Sequence, residues 1–259
     1  MSTSVAKKEN TELAIAQDLA SWGQAPVSAK DITIPRMLVM NGTSSLVTEG
    51  EAGFGEIRCS MTGKKLADLK NGVKIVPFAM KKCFIEYNAD EEPKQYIRRI
   101  EMTPANENLP YNDKGLDNDG NECNISRDYV MEFYCLLPEE INRGGELPYI
   151  ITFRRTALRN GKKLATQMFI SNRGAGLPPP GLTVELFTKK ESNDDNTWAV
   201  PDVRLDPEAT KKTPPEHIEA ALRWFKMINQ VKAHDAEDEA TPVVMEKSKE
   251  AVETGPAKF

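Results

Sequence analysis

The side chains in this sequence with the clearest chemistry to offer are cations. "TFRRTALRNGKKLATQMFISNRG", residues 152–174, lies in a stretch from Arg143 to Lys190 that holds nine Lys or Arg. They are Arg143, Arg154, Arg155, Arg159, Lys162, Lys163, Arg173, Lys189 and Lys190, opposed only by Glu146 and Glu185. The local balance is +7 in a chain whose formal net charge is −5. Aromatic residues are interleaved with this charge: Tyr149, Phe153 and Phe187, with Trp198 close behind. "MKKCF" and "YIRRI" repeat the pattern, setting Lys81, Lys82, Arg98 and Arg99 beside aromatic residues. Lys and Arg neutralise phosphates and release counterions, while aromatic faces stack on bases of any identity. Together they are the two ingredients of a single-stranded nucleic-acid groove. For any one Phe or Tyr, core packing is the competing explanation, because a strand turns only one face to solvent.

Other chemistries find less support. There is no GxxxxGKS/T loop, HExxH, GxSxG or dinucleotide fingerprint. Both histidines, His217 and His234, fall in or after a C-terminal helical pattern. Cys59, Cys83, Cys123 and Cys135 are far apart with no CxxC, so reduced buried thiols are expected rather than a zinc site. "DKGLDNDGNECN" superficially suggests a calcium loop but lacks the correctly spaced closing Glu, and it reads as a solvated loop. A metal-dependent nuclease using Asp117 and Asp119 is the weakest alternative. The sequence therefore leads to a non-enzymatic protein with no cofactor and no metal.

Periodicity supplies the elements that must position these cations. Residues 1–30 read as a flexible arm containing a short amphipathic stretch, and "DITIPRMLVMNGTSSLVTEGEAGFGEI" as an extended, turn-punctuated segment. "NGVKIVPFAMKKCFIEYN", "QYIRRIEM", "DYVMEFYCLLPE" and "LPYIITFRRT" carry the β-branched and aromatic content of strands. "YNDKGLDNDGNECNISRD", rich in turn formers, is expected to be a long loop. "TALRNGKKLATQMFISN" shifts to helical spacing at Leu158, Leu164, Met168 and Phe169, although Gly161 weakens that helix by about 1 kcal/mol relative to Ala. After "GAGLPPPG", "LTVELFTKKE" and "NTWAVPDVRLD" form a hairpin across "SNDDN". Strands, a helix, then two more strands is the order of a five-stranded OB-fold-like barrel with its helix between strands 3 and 4, the alternative being an α+β sandwich. The barrel domain is assigned to residues 31–206.

Residues 207–234 follow as a C-terminal helix with Pro214 and Pro215 in its first turn and Ile218, Leu222, Phe225 and Ile228 on one face. Residues 235–259 have the composition of an acidic disordered tail ending in Phe259. Residues 53–204 hold 22 basic and 22 acidic residues, so the acidic excess lies outside that stretch. Such a tail competes for a basic groove, recruits partner proteins, or simply solubilises. No apolar run approaches the length of a membrane span, and the first residues lack a signal peptide's apolar middle. A cytoplasmic protein without a membrane partner is expected.

Several phrases carry a resemblance: "DITIPRMLVMNGTSSLVTEGEAGFGEI", "GKKLAD", "PYIITFRRTALRNGKKLATQMF" and "GLPPPGLTVELFTKKE". Over roughly residues 30–205 the chain resembles phage-encoded single-stranded DNA-binding proteins, in particular those of podophages that carry an RNA polymerase in the virion. The resemblance implies a protein that coats single-stranded DNA in phage replication and recombination, within the host cytoplasm. It also implies a link to transcription, and partners among replication, recombination or RNA polymerase proteins recruited through the tail and Phe259. Lys258 departs from the more acidic ends of bacterial single-strand binders, which leaves any such partner unidentified. The competing function is a protein-interaction hub or transcription co-activator acting through the tail and the C-terminal helix.

Overall fold

A computed structural model describes residues 33–175, 182–205 and 213–230. The arm over 1–30, the tail over 235–259 and Phe259 lie outside the described residues.

The β-rich reading of the middle of the chain holds. Ten strands form one curled, open sheet. They are β1 (Arg36–Val39), β2 (Ile57–Cys59), β3 (Lys65–Ala67), β4 (Val73–Asn88), β5 (Gln95–Glu101), β6 (Asn112–Leu116), β7 (Glu122–Leu136), β8 (Pro148–Arg154), β9 (Val184–Ser192) and β10 (Thr197–Leu205). Their order is β10-β9-β4-β7-β8-β1-β2-β3, with β5 added beside β4 and β6 beside β7. All described pairings are antiparallel except β1 with β8. Pro35 sits immediately before β1, where a missing N–H is tolerated, and its carbonyl accepts from the Ile150 amide at 2.9 Å.

Four helices complete the described residues: α1 (Ser45–Thr48), α2 (Pro138–Ile141), α3 (Leu158–Ala175) and α4 (Pro215–Gln230). Helix α3 is entered from β8 through a 3-10 turn at Arg155–Ala157. It buries Leu164 and Met168 in the main core with Phe133, Phe153, Ile151 and Leu186. Phe169 stands one position off that seam and is 56% exposed, contrary to its expected place on the helix's apolar face. Gly161 lets α3 approach β8: a Cβ there would lie 2.8 Å from the Phe153 Cβ.

Helix α4 packs on the other side of the sheet with Phe78, Tyr134, Leu136 and Ile150. Its buried residues are His217, Ala220, Ala221 and Ile228, so the seam is rotated from the expected one: Ile218, Leu222 and Phe225 are only partly buried. Small alanines let this helix lie close, while the larger side chains flank the contact. His217 is structural, its Nε2 2.9 Å from Asn142 Oδ1.

The expected loop at "YNDKGLDNDGNECNISRD" is instead a β-hairpin, β6 to β7. Its turn is built by Asp117, whose Oδ1 accepts from the Asp119 and Asn121 amides at 2.9 and 2.8 Å. Turn-forming residues marked the reversal correctly but hid the ladder around it. All four cysteines are buried and unbridged. No described helix is long and apolar enough to cross a membrane.

Candidate nucleic-acid interface

Strand register sorts the candidate cations before any distance is considered. Residues paired across a ladder point to the same side of the sheet. Glu132 on β7 pairs with Lys81 on β4 and Thr152 on β8, and Val130 pairs with Cys83 and Arg154. Asp128 pairs with Ile85, which pairs onward with Arg99 on β5. Lys81, Arg99 and Arg154 therefore share one face, and Arg36, opposite Ile150 on β1, joins them. Lys82 and Arg98 point to the reverse face, opposite Met131 and Glu86. Each basic pair is split by the pleat, so the Lys81–Lys82 and Arg98–Arg99 pairs cannot each act as a unit in one groove.

On the shared face a cleft of about 670 Å³ opens between β1, β8 and β10. Arg36, Leu38, Asn41, Arg154, Arg155 and Trp198 are among its lining residues. Arg154 is exposed and its Nη1 donates to the Tyr87 hydroxyl at 3.1 Å. Burial pushes the Tyr87 phenol above its ordinary pKa, against the opposing pull of the Arg154 charge, so it stays protonated. Trp198 is half-buried, and its indole Nε1 donates to Thr156 Oγ1 at 3.2 Å. That bond fixes the ring at the wall of the cleft.

Arg155 is held from two directions. Its Nε donates to Asp128 Oδ2 at 2.8 Å; the Arg155 side chain is 61% exposed and that of Asp128 only 5%. Its backbone has φ +51°, the left-handed region that side chains other than Gly rarely adopt. The turn from β8 into α3 thus places two successive guanidiniums at one edge of the cleft. Beyond it, Glu132 is fully buried and binds Arg36 from β1, 3.0 Å from Oε1, and Arg99 from β5 through Oε2.

Two of the aromatic candidates do not belong to this surface. Tyr149 is 4% exposed and Phe153 is fully buried, both within the main core. Phe153 stacks edge-on against Phe133 with centroids 5.4 Å apart. The Tyr149 hydroxyl donates to Glu140 at 2.9 Å, and burial, followed by that bond, pushes its pKa up. Neither ring presents a face to a base; alternation along β8 directs both inward.

The remaining cations are spread more widely. Arg159, Lys162 and Lys163 are exposed on α3, with Lys163 Nζ donating to the Val203 carbonyl at 3.0 Å. Lys189 and Lys190 are exposed at the end of β9. Arg173 falls in the last described turn of α3, and its side chain lies outside the described residues. Lys81 rests its Nζ 5.7 Å from the centroid of Tyr134. Sequence reasoning missed Arg36, Asp128 and Glu132. The available signal was a carboxylate inside the apolar run "YVMEFYCLL", which burial obliges to find cations on neighbouring strands.

Fold and site together define a mainly-β protein with a few helices and a curled open sheet that carries an arginine-lined cleft. A family model described as Pam3 phage gp34-like protein matches residues 6–248, and the chain belongs to that family. It is a phage protein. No curated protein and no solved structure matches it.

Proposed function

We propose that this protein binds single-stranded DNA with little sequence preference and serves phage DNA replication and recombination, with a further role in transcription. The observation that carries the reading is the cleft itself, which the exposed side chains of Arg154 and Arg155 line together with the half-buried Trp198. Guanidiniums suit phosphates, and one stacked base contributes about 1–3 kcal/mol. We read the curled sheet, with α3 between β8 and β9, as an OB-like platform for the strand. Arg159, Lys162, Lys163, Lys189 and Lys190 extend the positive surface beyond the cleft, so the bound strand is longer than the cleft alone.

Titrating fluorescent oligo-dT at several salt concentrations tests this directly. Binding is expected at about 50 mM salt and should weaken steeply as salt rises, as counterion release requires. Absence of binding at low salt would reject the reading. Trp198→Ala and Arg154→Ala should each weaken binding, with Arg154→Ala alone also making the salt dependence shallower, by about 0.7 in log–log slope.

The hub reading rests on the tail, since α4 is docked on the sheet through its buried alanines. Deleting residues 235–259 separates the two. A DNA coat keeps its oligo-dT affinity, whereas a hub loses its polymerase or recombination partners in a pull-down.

A further inference from the structure

Asn41 stands just past the end of β1 and lines the cleft together with Leu38 from β1 and Trp198 from β10. Its backbone is held by Ser44: the Asn41 amide donates to Ser44 Oγ at 3.0 Å, and the Asn41 carbonyl accepts from the Ser44 amide at 2.9 Å. Its side chain is oriented as well. Oδ1 accepts from the Ala199 N–H at 2.6 Å, and Ala199 is only 4% exposed. A flipped amide would set NH2 against that buried N–H and strand it, so the orientation is fixed. Nδ2 is the end left over; it has no partner among the described residues and is not buried. The cleft thus holds one positioned pair of N–H donors beside apolar surface. Leu38 is 42% exposed there, while its neighbour Met37 turns into the core. The Trp198 ring is held at the wall by Thr156.

We propose that the cleft is a slot for one unstacked nucleobase and that Asn41 is its specificity residue, favouring thymine over adenine. The base lies against Trp198 and Leu38, its neighbouring phosphates lie at Arg154 and Arg155, and a base carbonyl oxygen accepts from Asn41 Nδ2. The inference rests on the single-stranded DNA reading and adds a preference at one position to it. An Asn with both ends available matches adenine by two bonds, giving Nδ2–H to N7 and taking N6–H at Oδ1. With Oδ1 turned to Ala199, that match is broken and only a donor remains. Thymine carries carbonyl oxygens at O2 and O4 and no amino group, so either edge accepts, and its methyl group suits Leu38. Adenine has no carbonyl oxygen, and its amino group opposes that of Asn41. One hydrogen bond at one position keeps the preference modest, about fivefold.

The test titrates full-length wild type and Asn41→Asp with oligo-dT and oligo-dA of equal length at about 50 mM salt, with thermal melts in parallel. The Asp variant keeps an acceptor for Ala199 but replaces the donor with a carboxylate oxygen, which repels a carbonyl and accepts from the adenine amino group. Its added charge acts on both strands alike and cancels in the ratio of affinities, as does the self-stacking of oligo-dA. The dT-to-dA affinity ratio is expected to fall by about fivefold. An unchanged or larger ratio in a folded Asn41→Asp protein overturns the proposal. Should that variant fail to fold, wild type decides through oligo-dT whose thymines are replaced by difluorotoluene, which keeps the shape and loses the carbonyl oxygens. Binding about fivefold weaker than oligo-dT supports the slot, and equal binding overturns it. Failure of the DNA reading looks different, because wild type would then bind neither strand. If wild type binds and Arg154→Ala weakens it while Asn41→Asp lowers dT and dA affinity equally, only the base preference falls.

Discussion

Arg155 shows how a single residue joins strain to a site. Its left-handed backbone costs about 1–2 kcal/mol for an L side chain, a penalty Gly would not carry. What it secures is the bond to Asp128, whose carboxylate is nearly buried and needs a cation. The two contributions can be separated. Arg155→Ala loses the ion pair and keeps the strain, whereas Arg155→Gly loses the ion pair and relieves it. The Gly variant is therefore expected to be about 1 kcal/mol more stable than the Ala variant by urea denaturation, with the two equally impaired in oligo-dT binding. If the Ala variant proves as stable as the Gly variant, the turn at Arg155 carries no strain. Trp198 belongs at this scale too: among Tyr149, Phe153 and Trp198, only Trp198 lines the cleft.

At the level of elements, Gly161 reverses a simple propensity argument. An isolated helix would gain about 1 kcal/mol from Gly161→Ala. Here the new methyl would meet the Cβ and Cγ of Phe153 at 2.8 and 3.0 Å, atoms held by the strand and the core. Gly161→Ala is expected to destabilise the protein by about 1–3 kcal/mol through overpacking, read as a lower denaturation midpoint. A gain in stability would mean that α3 can lift from β8. The same helix marks where sequence reading succeeds. Strong β-branched runs announced β4, β7, β8, β9 and β10, and the change of period at Leu158 announced α3. The β6–β7 hairpin was obscured because β6 is short and polar and the turn formers around it dominate the pattern. The site was only half legible for a different reason. Alternation separates Lys81 from Lys82 and Arg98 from Arg99 in principle, but only the register tells which member shares a face with Arg154. Arg36 was hidden more deeply, since it reaches the site through the parallel pairing of β1 with β8, two strands far apart in the chain.

For the molecule as a whole, the cleft exists because the sheet curls far enough for β10 to approach β1, from which β9, β4, β7 and β8 separate it in the strand order. Asn41, just after β1, makes that closure specific: its Oδ1 accepts from the Ala199 amide at 2.6 Å. Thr188 adds a bond from its hydroxyl to the Gly55 carbonyl, so β9 is tied to the loop before β2 as well. Ala199 is 4% exposed, and its N–H would be left without this acceptor in Asn41→Ala. An unsatisfied buried donor costs about 1–3 kcal/mol, and the loss should appear as a lower urea midpoint. Oligo-dT affinity should fall with it, since Asn41 and Trp198 stand on the two sides of the cleft that the bond holds together. Asn41→Asp provides the contrast. It retains an acceptor and so keeps most of the stability, yet it adds a negative charge to the cleft and should weaken DNA binding more than stability. If Asn41→Ala is as stable as wild type and binds equally well, the closure is carried by Thr188 and the packing of α3, and the two walls of the cleft are held independently of Asn41.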